Sequence, residues 1–153
     1  MDDLLARMKA LRGEAHAFGL VGRGDNRRWL LTLRDEKVMR ELLKGRMPEA
    51  LCTLDVTVLH SLVLEHILGI DQKAQEEQRN LRYVKGHQEL VGMVQEDDRF
   101  QAGFILNPTR VEEVKAVAQA GERMPQKSTF FYPKQVTGLV INPLFDDTET
   151  CGA

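Results

Sequence analysis

Residues 81–141 read LRYVKGHQELVGMVQEDDRFQAGFILNPTRVEEVKAVAQAGERMPQKSTFFYPKQVTGLVI, and the order of patterns within them sets the expected fold. Leu81 to Val84 reads as a strand. His87 to Gln95 carries Leu90, Val91 and Val94 at helical spacing, and Phe100 to Leu106 reads as a second strand. Thr109 and Glu112 match a T-x-x-E capping box ahead of Val111, Val114, Val117 and Ala118, with Gly121 as the stop. Phe130 to Tyr132 is a short extended piece, and Gly138 to Ile141 a last strand. Strand, helix, strand, helix and strand in succession predict crossovers that pack two helices on one face of a sheet.

Upstream of this region the chain supplies a helix, a hairpin and more helices. Asp2 or Asp3 can cap a helix in which Leu4, Leu5, Met8 and Leu11 share a stripe, ended by Gly13. Ala15 to Val21 and Arg28 to Leu33 are strand-like. The linker between them, Gly22-Arg23-Gly24-Asp25-Asn26, is rich in residues that accept positive φ, so its Arg-Gly-Asp triplet reads as turn chemistry in a hairpin. Asp35 heads a short helix with Val38, Met39, Leu42 and Leu43, closed by Gly45, and Arg46 to Thr53 reads as a connector. Asp55 then heads Val56 to Leu68, apolar on nearly all sides, which suits the middle of a core or a surface under a partner. Asp71 to Arg79 is charged and reads as a solvated turn or loop. The expectation is one α+β domain over residues 1–145, with a mixed sheet of about five strands and helices mainly on one face. The acidic residues 146–153 form a tail that frays.

Composition narrows the classes. The 153 residues carry 29% charged and 42% hydrophobic side chains, as ordinary globular proteins do. A net charge of −2 argues against a dedicated nucleic-acid binder, which would be basic. Cys52 and Cys151 form neither a zinc pattern nor a C-x-x-C pair, so reduced thiols and a cytoplasmic location are the default. No apolar run approaches the roughly 20 residues that cross a bilayer, so no membrane partner is expected.

The densest polar chemistry lies in one loop. Lys127, Ser128 and Thr129, with Gln126 before them and Lys134 after, can hold a phosphate or carboxylate through an ammonium, hydroxyls and loop amides. The same hydroxyls can instead satisfy loop backbone, and the glycines of a P-loop are absent. Tyr132 ends an aromatic run that plugs a core or stacks on a ligand. Arg110 stands just before a helix N-terminus, where an anion can rest. His60 and His66 are six apart, which is not the i, i+4 spacing of two metal ligands on one helix face. No metal site is therefore expected. His60 is the single weak catalytic candidate, and no cofactor is identified.

MPQKSTFFYPK, preceded by FILNPTRVEEVKAVAQAGER and followed by TGLVI, resembles the C-terminal region of a bacterial and archaeal family known as domain-of-unknown-function family 1015. Leu54-Asp55-Val56 through Leu59-His60, and Leu68-Gly69-Ile70, are similar to that family's middle segment. The N-terminal part of the family carries an Asp-Gly-His-His-Arg-Tyr type motif, similar to the phosphate-binding boxes of ParB-like proteins, sulfiredoxin and an ADP-dependent serine kinase. No His-His-Arg run occurs in this chain, in which His16 and His87 stand alone. The resemblance therefore implies a C-terminal portion that completes the ligand site of a phosphate- or nucleotide-handling enzyme and is inactive by itself. It implies Lys127, Ser128, Thr129 and His60 as contributions to that site, with a small anionic ligand. The alternative is a non-catalytic interaction module, docking the missing N-terminal region or a second copy.

Overall fold

The computed structural model describes residues 1–125 together with Ser128 and Thr129. Its elements are α1 (Asp2–Ala10), β1 (Ala17–Gly22), β2 (Arg28–Thr32), α2 (Lys37–Leu42), α3 (Glu49–Cys52) and α4 (Asp55–Thr57). A π-helix over Val58–Ile67 follows, then α5 (Gln72–Glu76), α6 (His87–Glu96), β3 (Ala102–Leu106) and α7 (Val111–Gln119). The fold is α+β, but the expected mixed sheet of about five strands is not formed. Among the described residues there are three strands, all antiparallel, in the order β2-β1-β3.

The difference has a local cause. Leu81 to Val84 has the alternation of a strand but pairs with nothing in the sheet. Leu81 packs against the core, but Tyr83 is exposed, its ring 6.1 Å from that of His60, so the segment is only partly covered and stays outside the ladder. Without that strand there is no crossover into β3. The expected Phe130–Tyr132 and Gly138–Ile141 segments lie outside the described residues.

The helices also occupy both faces of the sheet, where one was expected. Register sets Gly19 beside Leu30 and Ile105, and Val21 beside Arg28 and Gly103. On that face Leu4 and Met8 of α1 lie over Gly19, and Leu90 and Val94 of α6 lie over Gly103. The alternate residues Phe18, Leu31, Phe104 and Leu106 point the other way, into a core shared with Met39, Leu43, Val58, Leu59 and Leu64. Central strand β1 is thus covered twice, which is why AFGLVG is apolar almost without interruption. A second cluster joins Leu51, Leu54 and Val56 to Val117 of α7.

The apolar helix does sit in the core, but in a wider form than its sequence announces. It begins as α4 and continues for ten residues with π-helical, i→i+5 bonding. Val58, Leu59 and Leu64 are buried, while Ile67 and Leu68 at its end are exposed. Its N-cap is Leu54 and not Asp55, whose carboxylate is engaged elsewhere. Where the sequence suggested a plain connector, Glu49–Cys52 forms a helical turn. Asp71 caps α5 by accepting from the Ala74 amide at 2.7 Å. Gln75 of α5 is buried because its amide donates to the His60 and Ile70 carbonyls, at 3.2 and 2.8 Å.

Candidate functional site

The most concentrated polar chemistry among the described residues gathers where α1 hands over to β1. Gly13 turns the chain there with φ +84, and a side chain on it would meet the Arg110 guanidinium at 2.6 Å. His16 follows, just ahead of β1, and its Nδ1 lies 2.7 Å from Oδ1 of Asp55 in the first turn of α4. The two side chains are 14% and 26% exposed, so the pair is substantially shielded. The hydrogen bond to Asp55 raises the His16 pKa above the ordinary histidine value, and burial partly opposes this. The charges of Asp55, Glu36 and Glu113 add to the rise. Imidazole and carboxylate are therefore arranged as an orienting pair, with the acid fixing the ring.

The groups around the pair limit its chemistry. His16 lines a recess of about 10 Å³, room for one water, with Glu36, Met39, Arg40, Glu49, Cys52 and Thr53. Cys52 is no activated nucleophile there: burial and the nearby Glu49 push its thiol pKa up, and its Sγ lies 3.7 Å from the Met47 carbonyl oxygen as a donor. No group of three His, Cys, Asp or Glu side chains among the described residues could hold a metal ion. No helix among them is long and apolar enough to cross a membrane.

The residues singled out from sequence are distributed as follows. Arg110 is the N-cap of α7, and its backbone N–H donates to Glu113 Oε2 at 2.7 Å. Its guanidinium donates to Glu113 Oε1 from Nε and Nη2, both at 3.2 Å. The helix start is thus displaced by one residue from the expected Thr109–Glu112 box, because Glu113 and not Glu112 reaches back. Thr109 is freed to donate from Oγ1 to the Ser128 carbonyl at 2.7 Å. Ser128 in turn donates from Oγ to the Pro125 carbonyl at 2.6 Å. Arg110, Ser128 and Thr129 therefore belong to one neighbourhood, where α7 begins. His60 is half-buried on the π-helix, burial lowers its pKa, and its ring is tilted against Tyr83. Among the described residues, no hydrogen bond or ion pair joins it to Arg110, Ser128 or Thr129. Gln126, Lys127, Tyr132 and Lys134 lie outside the described residues.

Sequence reasoning passed over His16 and Asp55. They are 39 residues apart, and each has an adequate local explanation, one before a strand and the other opening a helix. Only the docking of α4 beside the α1–β1 turn joins them. Comparison with known proteins adds nothing to this picture: no family model matches the chain, and neither does any curated protein or solved structure. The fold and site define a small α+β domain with an oriented histidine–carboxylate pair. The likeness to the family named above rests on the quoted residues alone.

Proposed function

We propose that this chain completes a phosphate- or nucleotide-binding site and does no catalysis by itself. The observation that supports this is the 2.7 Å bond from Thr109 to Ser128, which holds the Ser128–Thr129 loop beside Arg110 at the start of α7. Ser128 follows Lys127 in the sequence, and it meets a helix N-terminus that already carries an arginine. At present Glu113 occupies both the backbone N–H and the guanidinium of Arg110. A phosphate bears more charge and more acceptor oxygens than that carboxylate, and competes with it for the guanidinium.

Isothermal titration of the whole chain with inorganic phosphate and with ADP tests this. Lys127→Ala weakens binding by roughly tenfold or more, the loss of one charge-assisted bond. Glu113→Gln, which removes the internal competitor, tightens it. Absence of binding by the wild-type chain, or affinities indifferent to both changes, refutes the site.

A second reading has its own observation. Ile67 and Leu68 are 64% and 51% exposed at the end of a helix that is otherwise core. Two adjacent apolar side chains in water suit a non-catalytic interaction module that docks another part of the family architecture or a second copy. Sedimentation of the wild type and of an Ile67→Ser/Leu68→Ser double variant separates the readings. Concentration-dependent association abolished by the double variant favours the module.

A further inference from the structure

We propose that His16 and Asp55 form a pH-operated clamp, closed while His16 is protonated, that holds the junction between α4 and the π-helix against the strand β1. This goes beyond the phosphate reading and does not depend on it.

The clamp joins two segments that are remote in the chain. His16 leads directly into β1, the central strand, and Asp55 lies in the first turn of the helix that becomes π at Val58. Their 2.7 Å bond spans 39 residues and is largely shielded from water. The junction it holds is locally unfavourable. Thr57, the last residue of α4, is buried, and its hydroxyl has no hydrogen-bond partner among the described residues. The bonding register changes from i→i+4 to i→i+5 at the next residue. A turn with an unpaired hydroxyl and a register change gains much from an external tie.

The charges around His16 make that tie sensitive to protonation. Carboxylates face it from three elements: Asp55 of α4, Glu36 at the N-cap of α2, and Glu113 of α7. The nearby cations are already engaged. Arg110 is paired with Glu113 at 3.2 Å, and Arg40, which lines the recess, with Glu49 at 3.7 Å. The remaining group lining the recess, the Cys52 thiol, is held neutral by burial. Protonated His16 is therefore a cation bonded to Asp55 and held in the field of two further carboxylates, Glu36 and the Arg110-paired Glu113. When it loses its proton, the hydrogen bond can persist but the ion pair cannot, and the carboxylates then repel one another. The His16 pKa is raised in the folded chain, so the stabilisation is fully present below the ordinary histidine value. It disappears as pH rises through the raised value. The clamp is closed below the ordinary histidine range and opens as pH rises through the raised His16 value.

Amide hydrogen exchange of the full chain, corrected for intrinsic rates and read peptide by peptide, tests the clamp without any ligand. Along a pH series run from below to above the His16 midpoint, itself read by NMR, protection across residues 55–67 falls several-fold while that of β1 is kept. In Asp55→Asn the same peptides exchange fast at both ends of the series. By NMR, His16 in that variant titrates below its wild-type midpoint. Wild-type protection that is equal at both ends overturns the proposal, as does a pH dependence that survives Asp55→Asn. Should Asp55→Asn fail to fold, the wild-type pH series and the milder Glu36→Gln decide. Glu36→Gln removes one carboxylate and moves the opening to lower pH, and an unmoved opening counts against the clamp. A phosphate site that fails its titration leaves these outcomes untouched.

Discussion

Replacing Gly103 by alanine tests the packing of α6 on the sheet most directly. Gly103 is buried in β3, and a Cβ there would stand 2.5 Å from Leu90 Cδ2, 2.8 Å from Leu90 Cγ and 3.1 Å from Val94 Cγ2. Carbon atoms in comfortable contact lie about 3.5–4.0 Å apart, so Leu90 must retreat by about 1 Å. Rotating the tip of the leucine does not suffice, because Cγ sits near the base of the side chain. Either α6 lifts or Leu90 leaves its rotamer. Overpacking of this kind costs about 1–3 kcal/mol. The reduced freedom of the unfolded chain returns about 0.4–1 kcal/mol, leaving a net loss of roughly 1.5 kcal/mol. For a chain of this length that lowers Tm by about 3–6 °C. Urea unfolding followed by circular dichroism measures it as a lower midpoint at unchanged slope. The decisive control is the background Leu90→Ala, in which the alanine at 103 has room and costs little. A coupling of about 1 kcal/mol between the two changes is expected of residues in contact. A Gly103→Ala variant as stable as wild type, or one equally destabilised with and without Leu90, refutes the described packing.

Two further substitutions address polar groups. Thr57→Val replaces a buried hydroxyl that has no partner among the described residues with a methyl of similar size, and it stabilises the chain by about 1 kcal/mol in the same urea assay. Asn107 donates from Nδ2 to the Met8 carbonyl at 2.9 Å, tying the end of β3 to the last turn of α1. Asn107→Ala costs about 1 kcal/mol and loosens the C-terminal amides of α1 in hydrogen exchange.

The hairpin was legible because turn chemistry is local: a linker rich in residues that tolerate positive φ separates two β-rich runs, and Ala17–Gly22 pairs with Arg28–Thr32 much as they suggest. Phe100 to Leu106 likewise contains β3, and His87 to Gln95 matches α6 to within one residue. The errors came from quantities that periodicity does not carry. The strand-like composition of Leu81 to Val84 does not say whether its backbone groups find a strand to pair with. An apolar helix with no polar face gives no phase by which to tell α from π bonding. The start of α7 moved by one residue because two glutamates in succession, Glu112 and Glu113, could each close a capping box. Of the candidate site, sequence marked the Arg110 and Ser128 neighbourhood but not His16 and Asp55, whose partnership exists only once three elements have packed.

The order of strands in the sheet has a consequence for how the chain is made. β1 is hydrogen-bonded to β2 across a short turn, but on its other side to β3, which lies beyond six helical elements. Closing that long loop costs chain entropy that no local contact repays, so the arrival of β3 is the slow step of assembly. On the ribosome the interval is longer still. The hairpin emerges early, and until Ala102–Leu106 follows it the strand AFGLVG carries one bare edge of unpaired amides and carbonyls. An apolar strand in that condition can recruit a neighbouring nascent chain. The time between synthesis of β2 and of β3 is therefore when this protein most needs a chaperone.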